Sequence, residues 1–480
     1  MLLKKAHQLL AQNRHREAEF HYKAVLKADA DNGEALFGLG RIALRLERND
    51  AAVYLLQKAC QRLPYALEPL HALADAFNNV NSPNDALKVL EYAVNVASNN
   101  PEPYYYLAQH YLTYGELDKA HTTFARALSL GTYPVTAYIL YELVQLGRFD
   151  KEHNYLSNLH YLLTQTNNLR LKMVCYYGLA KSYDQLDDTA QAFDYFILAN
   201  KLQRKLSDFA TAELTGFYDE IIKYSSKTLI SSANKNLKAT ITPVFIIGMP
   251  RSGSTLLEQM LANHSQCASI GESVSISRDV AAFLEQKTGV RYPQCLNHLT
   301  AALIKQARDI YLARLNSVSP HRPLVINKLP SNYQSMGLIH LLFPNAKFIN
   351  LTRDFHATAF SVFTSYFAEN EPYFCSLPEF KLYYSLYQKL MAHWQSIPAL
   401  NIYTLSYEEL VANPQQQLSA LLQFLNCAYE KSCLAFYQQK SAVATLSKQA
   451  IRKPVNNHSI DKWRRYEQPL VNQLEELQTN

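Results

Sequence analysis

Four alanines, Ala18, Ala52, Ala86 and Ala120, stand 34 residues apart. Four residues after each comes a large apolar side chain (Tyr22, Leu56, Leu90, Phe124), and seven after each a small or β-branched one (Val25, Ala59, Ala93, Ala127). Twelve residues before the last three alanines stand Gly40, Ala74 and Ala108, each preceded by a leucine. Small and large residues in this register let paired helices approach closely and stack on the next pair, so the stretch reads as a helical solenoid. The register then slips. Gly147-Arg148-Phe149-Asp150 resembles the turn of a fifth unit, but Asn154 replaces the expected small apolar residue. A last unit returns at Tyr176, Leu179, Ala180, Tyr183, Ala192, Phe196 and Ala199, with Ala192 72 residues past Ala120, two periods plus four. Five or six helix pairs are expected over 1–205, followed by a capping helix and a polar linker over 206–240.

The chain has 480 residues, 48% hydrophobic and 18% charged, which suits two or three packed globular domains. A net charge of +6 fits an anionic ligand but is too weak to argue for nucleic acid. Seven cysteines form no CxxC pair and leave one over, which indicates free thiols in a reducing compartment and no zinc site. The N-terminus lacks an apolar signal core, and no apolar run approaches the ~20 residues of a membrane span. A soluble, cytoplasmic protein is expected.

From Ile241 to residue 480 the pattern changes to short apolar strands alternating with helices, as in an α/β domain with a parallel sheet. Strands are expected at 243–248, 323–327, 346–351 and 401–405, with helices at 254–263, 333–342, 355–368 and 414–426 and an inserted helical patch at about 275–318. The first strand runs into Gly248-Met249-Pro250-Arg251-Ser252-Gly253-Ser254-Thr255. Strand, glycine-containing turn and helix aim several backbone N–H groups and a helix N-terminus at one anion. The frame is that of a phosphate-binding P-loop, but Ser254 stands where a nucleotide triphosphatase has lysine. Arg353 ends a later strand, and Ser361, eight residues on, lies about two turns into the next helix. An arginine fork and a hydroxyl from adjacent elements suit a second phosphate. Ligands in open α/β sheets sit beyond the carboxyl ends of the strands. Arg251, Lys328, Arg353, Ser406 and Tyr407 all fall there.

These residues carry a family resemblance. The repeats are similar to tetratricopeptide repeats. Pro250 to Thr255 resembles the 5′-phosphosulfate loop of PAPS-dependent sulfotransferases, and Arg353 with Ser361 their 3′-phosphate motif. The tail Ser447-Lys448-Gln449-Ala450-Ile451-Arg452-Lys453-Pro454-Val455-Asn456, then Lys462-Trp463, resembles the C-terminal nucleotide segment of tyrosylprotein sulfotransferases. The resemblance spans roughly 241–470. It implies PAPS as co-substrate, PAP as product and no metal; PAPS needs two anion sites and no γ-phosphate pocket. Arg251, Ser252, Gly253, Ser254, Thr255, Arg353, Ser361, Tyr407, Ser447 and Lys462 would bind the nucleotide. Glu272, in Gly271-Glu272, would take the acceptor proton, and Arg251 and Lys328 would stabilise charge on the transferring group. Ala450 departs from the family, which commonly has Gln there. His264, His340 and His356 lie near the motifs but outside the place of a catalytic histidine, and read as structural or surface residues.

The leading reading is therefore sulfuryl transfer from PAPS to a hydroxyl, with protein tyrosine the favoured acceptor and small-molecule, glycan and lipid hydroxyls left open. The repeats would hold a peptide or partner protein. The alternatives are an adaptor whose second domain binds nucleotide without turnover, and a P-loop kinase, which Ser254 disfavours.

Overall fold

The structure is a computed structural model and describes residues 1–131, 134–147, 155–207, 210–234, 237, 241–318, 322–367, 372–438 and 450–475. Contacts divide the chain near Thr166 into two compact units. Among the described residues the first holds five helix pairs: α1 (Leu2–Ala11) and α2 (His15–Ala28), α3 (Gly33–Arg45) and α4 (Asn49–Arg62), α5 (Leu67–Asn79) and α6 (Pro83–Val96), α7 (Pro101–Thr113) and α8 (Leu117–Leu128), then α9 (Thr136–Gln145) and α10 (Leu156–Gln165). The four aligned alanines are completely buried, as are Tyr22, Leu56 and Phe124. Close approach explains the small residues: a β-carbon at Gly38 would stand 2.2 Å from the Tyr22 ring, and one at Gly40 2.6 Å from Leu56. Most of the irregular turn, 148–154, lies outside the described residues.

A second 34-residue period appears in the turns. Asn13, Glu47, Asn81 and Gly115 have φ of 57°, 53°, 58° and 78°. The amide after each (Arg14, Arg48, Ser82, Glu116) bonds the carbonyl of Leu9, Ala43, Phe77 or Tyr111 at 2.8–2.9 Å. This is the left-handed helix stop that satisfies orphan carbonyls and turns the chain back. Asp187, with φ of 64°, repeats it in the last pair, where Asp188 N bonds Tyr183 O at 3.0 Å.

That last pair, α11 (Leu169–Gln185) and α12 (Thr189–Lys205), belongs by packing to the second unit. So do α13 (Thr211–Tyr224) and α14 (Lys227–Ser231). The repeat pattern groups 169–205 with the solenoid, but its contacts lie with the sheet domain. Buried Asn200 donates to Phe363 O at 2.8 Å, Gln203 to Phe367 O at 3.0 Å, and Arg204 forks onto buried Glu379. Within 206–240, α13 is built in: the Tyr218 and Tyr333 hydroxyls lie 2.6 Å apart, and Tyr333 donates to Tyr383 at 2.9 Å.

Among the described residues the sheet has five parallel strands, β1 (Thr242–Gly248), β2 (Cys267–Ser269), β3 (Leu324–Asn327), β4 (Lys347–Thr352) and β5 (Asn401–Ser406), in the order β2-β3-β1-β4-β5. Between them run α15 (Ser254–Ala262), α16 (Ala281–Thr288), α17 (Ala301–Val318), α18 (Met336–Leu342), α19 (Phe355–Phe363) and α20 (Leu377–Gln395). After β5 come α21 (Tyr407–Ala412), α22 (Pro414–Phe424) and α23 (Glu467–Glu475). Four strands match the expected series. β2 is too short for apolar patterning to reveal, and α20 has no expected counterpart. α19 stops at Phe363 rather than 368, where Asn200 takes up its terminal carbonyl. Connections leave β1 toward one edge of the sheet and β4 toward the other, so a crevice opens between their carboxyl ends. Among the described residues, no helix is long and apolar enough to cross a membrane.

Two glycine substitutions with opposite signs test this packing. Gly38→Ala forces a methyl into the buried Tyr22 ring and should destabilise by ~1–3 kcal/mol, outweighing the gain in helix propensity. Gly216→Ala, in α13 with nothing within 4 Å of the added carbon, should stabilise by ~0.5–1 kcal/mol. Urea unfolding followed by circular dichroism reads both; equal effects would contradict the close packing at Gly38.

Candidate active site

The loop from β1 into α15 is shaped by three residues of positive φ. Gly248 has φ of 145°, and a β-carbon there would lie 2.4 Å from the Leu351 carbonyl of β4. Gly253 has φ of 98°, and its β-carbon would lie 2.3 Å from the Tyr407 ring. Arg251 has φ of 65° without being glycine. Such strain persists where the surroundings enforce it, and binding sites collect it. Ser252, Ser254 and Thr255 are buried at the start of α15, and among the described residues the buried Ser252 hydroxyl has no hydrogen-bond partner. Buried polar groups are seldom left so, which suits a ligand at this loop.

Arg353 leaves the end of β4 and closes onto this loop. Its Nη1 donates to Arg251 O at 2.8 Å, and its guanidinium stacks 4.8 Å from the centre of the Tyr407 ring. Arg251 Nε in turn donates to Ser361 Oγ, on α19, at 3.2 Å. The two anion motifs, well separated in sequence, therefore meet in the crevice between β1 and β4. Among the described residues, no carboxylate stands within ion-pair distance of Arg353, and its buried Nε has no partner. Burial pushes this guanidinium below its ordinary pKa, with Tyr407, Glu408 and Asp354 opposing. Asp354 is occupied as the cap of α19, accepting from Ala357 N at 2.8 Å. A half-buried cation held by carbonyls and a ring favours an incoming anion.

The C-terminal tail covers this crevice. Arg353 Nη2 donates to Ser459 O at 2.6 Å, and the Tyr407 hydroxyl lies 2.7 Å from Ser459 Oγ. Trp463 stacks on His356 with centroids 5.0 Å apart. Lys462 Nζ donates to Asp184 on α11 at 2.7 Å, joined there by Arg465 at 3.2 Å and Tyr466 at 2.7 Å. Ser447 lies outside the described residues, and the Ala450 side chain is likewise not described. His264 is held by Ala428 O at 2.8 Å, away from the loop.

A second polar cluster lies where β2 and β3 end. Ile270 N bonds Ile326 O and Lys328 N bonds Gly271 O, both at 2.9 Å, so the parallel ladder continues past the strands. It brings Glu272 against the buried Lys328 ammonium, which makes a short contact with Glu272 Oε1 and lies 3.5 Å from Glu258 Oε2. Glu258 also accepts from Ser269 Oγ at 2.6 Å. Burial raises its pKa, with Lys328 and Ser269 opposing. Glu258 and Asp184 were missed by the sequence reading. The signal was available in both: a carboxylate at a helix position otherwise given to the core requires a partner.

Burial pushes the Asp184 pKa up, but Lys462, Tyr466 and Lys181 outweigh this and hold it below the ordinary aspartate value. A depressed folded-state pKa contributes stability above the unfolded value, lost as pH falls through the folded one. Asp184→Asn should therefore destabilise this unit at pH 7 by ~3 kcal/mol, the low end for a buried ion pair, because its partners are partly exposed. The difference from wild type should shrink on acidification. Both tryptophans, Trp394 and Trp463, lie in this unit, so their fluorescence during unfolding reports it. A difference independent of pH would exclude charge as the source.

Residues 243–431 match a family model described as the sulfotransferase family, and residues 3–66 one described as tetratricopeptide repeat. An uncharacterized protein of Aquifex aeolicus (strain VF5) is 30% identical over 308 residues, covering 62% of this chain and 40% of that protein. Protein-tyrosine sulfotransferase 1 of Homo sapiens is 30% identical over 127 residues, covering 25% of this chain and 33% of that protein. The chain thus spans less than half the length of either relative. The sulfotransferase domain of the Synechococcus PCC 7002 olefin synthase aligns at 21% identity and a TM-score of 0.34, over 51% of this chain and 99% of that domain. The chain carries a sulfotransferase-family domain behind an N-terminal tetratricopeptide-repeat region.

Proposed function

We propose that the chain is a sulfotransferase that moves a sulfuryl group from PAPS to an acceptor hydroxyl, with protein tyrosine the favoured acceptor. One observation carries this reading: Arg353, a half-buried guanidinium with no carboxylate in ion-pair reach among the described residues, is joined to a strained P-loop-like turn that lacks the NTPase lysine. The fit to PAPS rests on two adjoining anion sites. Arg251, Ser252, Gly253, Ser254 and Thr255 would hold the phosphosulfate end. Arg353 and Ser361 would hold the 3′-phosphate, Ser447 would join the phosphosulfate end, and Tyr407 and, from the tail, Lys462 would contact the nucleotide. The donor supplies an activated sulfuryl group.

The chain's own residues then have distinct tasks. Glu272 is half exposed beside Lys328 and would take the acceptor's hydroxyl proton. Lys328, fixed between Glu258 and Glu272, and Arg251 would bring positive charge to the oxygens that gain negative charge. The protein-tyrosine relative and the Gly271-Glu272 motif support the tyrosine acceptor. In the first unit, an open cavity of about 510 Å³ between α4, α5 and α6, lined by Cys60, Leu70, Val89 and Tyr92, supports peptide binding by the repeats.

Incubation with labelled PAPS and a lysate, followed by identification of the labelled molecule, tests the acceptor. Arg251→Ala and Glu272→Gln should each lower transfer at least ~100-fold, while Glu272→Gln still binds PAP in calorimetry. Full activity in Glu272→Gln would remove that residue from the chemistry. PAP binding without transfer to any acceptor would make the domain a binding module.

A further inference from the structure

Tyr177, Lys181 and Asp184 are spaced four and three residues apart on α11, which puts them on one helix face. Both ends of this run are fixed against the sheet domain. The Tyr177 ring lies 5.7 Å from that of Tyr366, just past α19, and its hydroxyl lies 3.0 Å from Asn200, which caps Phe363. Asp184 holds Lys462 and Tyr466 of the tail. Lys181 lies between these anchors and feels the charges of Lys462 and of Arg251, which bonds Ser361 on α19. Its ammonium sits 5.3 Å from the centre of the Phe196 ring on α12. Among the described residues, no carboxylate lies within ion-pair distance of it; Asp184, one turn along, is taken up by Lys462, Arg465 and Tyr466.

A lysine with only a structural task stretches its head toward water or a carboxylate. This one lies near cations of two other elements, and the nearest carboxylate, Asp184, is already shared by Lys462, Arg465 and Tyr466, so a further anion would be attracted there. We propose that Lys181, on the last helix pair, is a further binding residue of the anion site and contacts a phosphate or sulfate oxygen of the donor nucleotide. The inference rests on the donor reading above, and no motif of the 241–470 resemblance includes this helix. The consequence is that the nucleotide site is incomplete without α11.

The charged groups facing Lys181 are Asp184 on its own helix, Lys462 on the tail and Arg251 on the loop. Burial, then Lys462, lowers its pKa to about 7; Asp184 opposes this, and Arg251 lowers it further. A bound anion drives that value back up, so at pH 8 binding should take up a proton at Lys181.

The test is calorimetry of PAP binding to the full chain in buffers of different ionisation enthalpy. Lys181→Ala and Lys181→Gln should bind PAP about tenfold or more weakly, with unfolding temperatures near wild type and without the proton uptake. Lys181→Arg should restore most of the affinity. Wild type that binds PAP alongside Lys181 variants that bind it equally well would overturn the assignment of Lys181 and leave the donor reading standing. Wild type that does not bind PAP would overturn both.

Discussion

A half-buried positive charge, with no carboxylate in ion-pair reach among the described residues, organises the second unit. Arg353 is pinned by two backbone carbonyls and a tyrosine ring, so its position is set without neutralising it. Withdrawing even part of a guanidinium from water is unfavourable when no counter-charge is supplied. The fold tolerates this because each holder is itself fixed. The Arg251 carbonyl is presented by a left-handed residue, Tyr407 is wedged against Gly253, and Ser459 is tied to Tyr407. The glycines at 248 and 253 are part of the same construction, because a β-carbon at either would collide with the element that completes the site.

The tail and α11 depend on one another through Asp184. One buried carboxylate collects Lys462, Arg465 and Tyr466 and so fixes the segment that lies over Arg353. The path from the repeat-like helix to the crevice at the ends of β1 and β4 is short: Asp184 to Lys462, then along the tail to Ser459 and Arg353. This explains why contacts place α11 and α12 with the sheet domain although their sequence pattern belongs to the repeats. Buried Asn200 and Gln203 and the partly buried Arg204 on α12 satisfy carbonyls and a buried carboxylate of the second unit, and such groups are not buried without partners.

The repeats show periodicity at two levels. The alanine stripe sets how closely helices approach, and the left-handed residues at 13, 47, 81 and 115 set where each pair turns. The second period hides in composition because Asn, Glu and Gly fill the same backbone state. Glutamate pays for φ > 0 while asparagine and glycine take it up readily, so residue identity alone does not mark the position.

By itself, the chain's sequence determined the repeat, the parallel strands and the P-loop-like turn after β1, because each is written in local spacing of small, apolar and glycine residues. It also placed Arg353 and Ser361 correctly relative to β4 and α19, since one strand and one helix suffice for that. Only tertiary structure decided that the two anion motifs meet, that Lys328 sits between two glutamates, and that an aspartate of the last helix pair fastens the tail. These are contacts between residues far apart in the chain. Their partners are chosen by what burial leaves unsatisfied, and no local pattern records that.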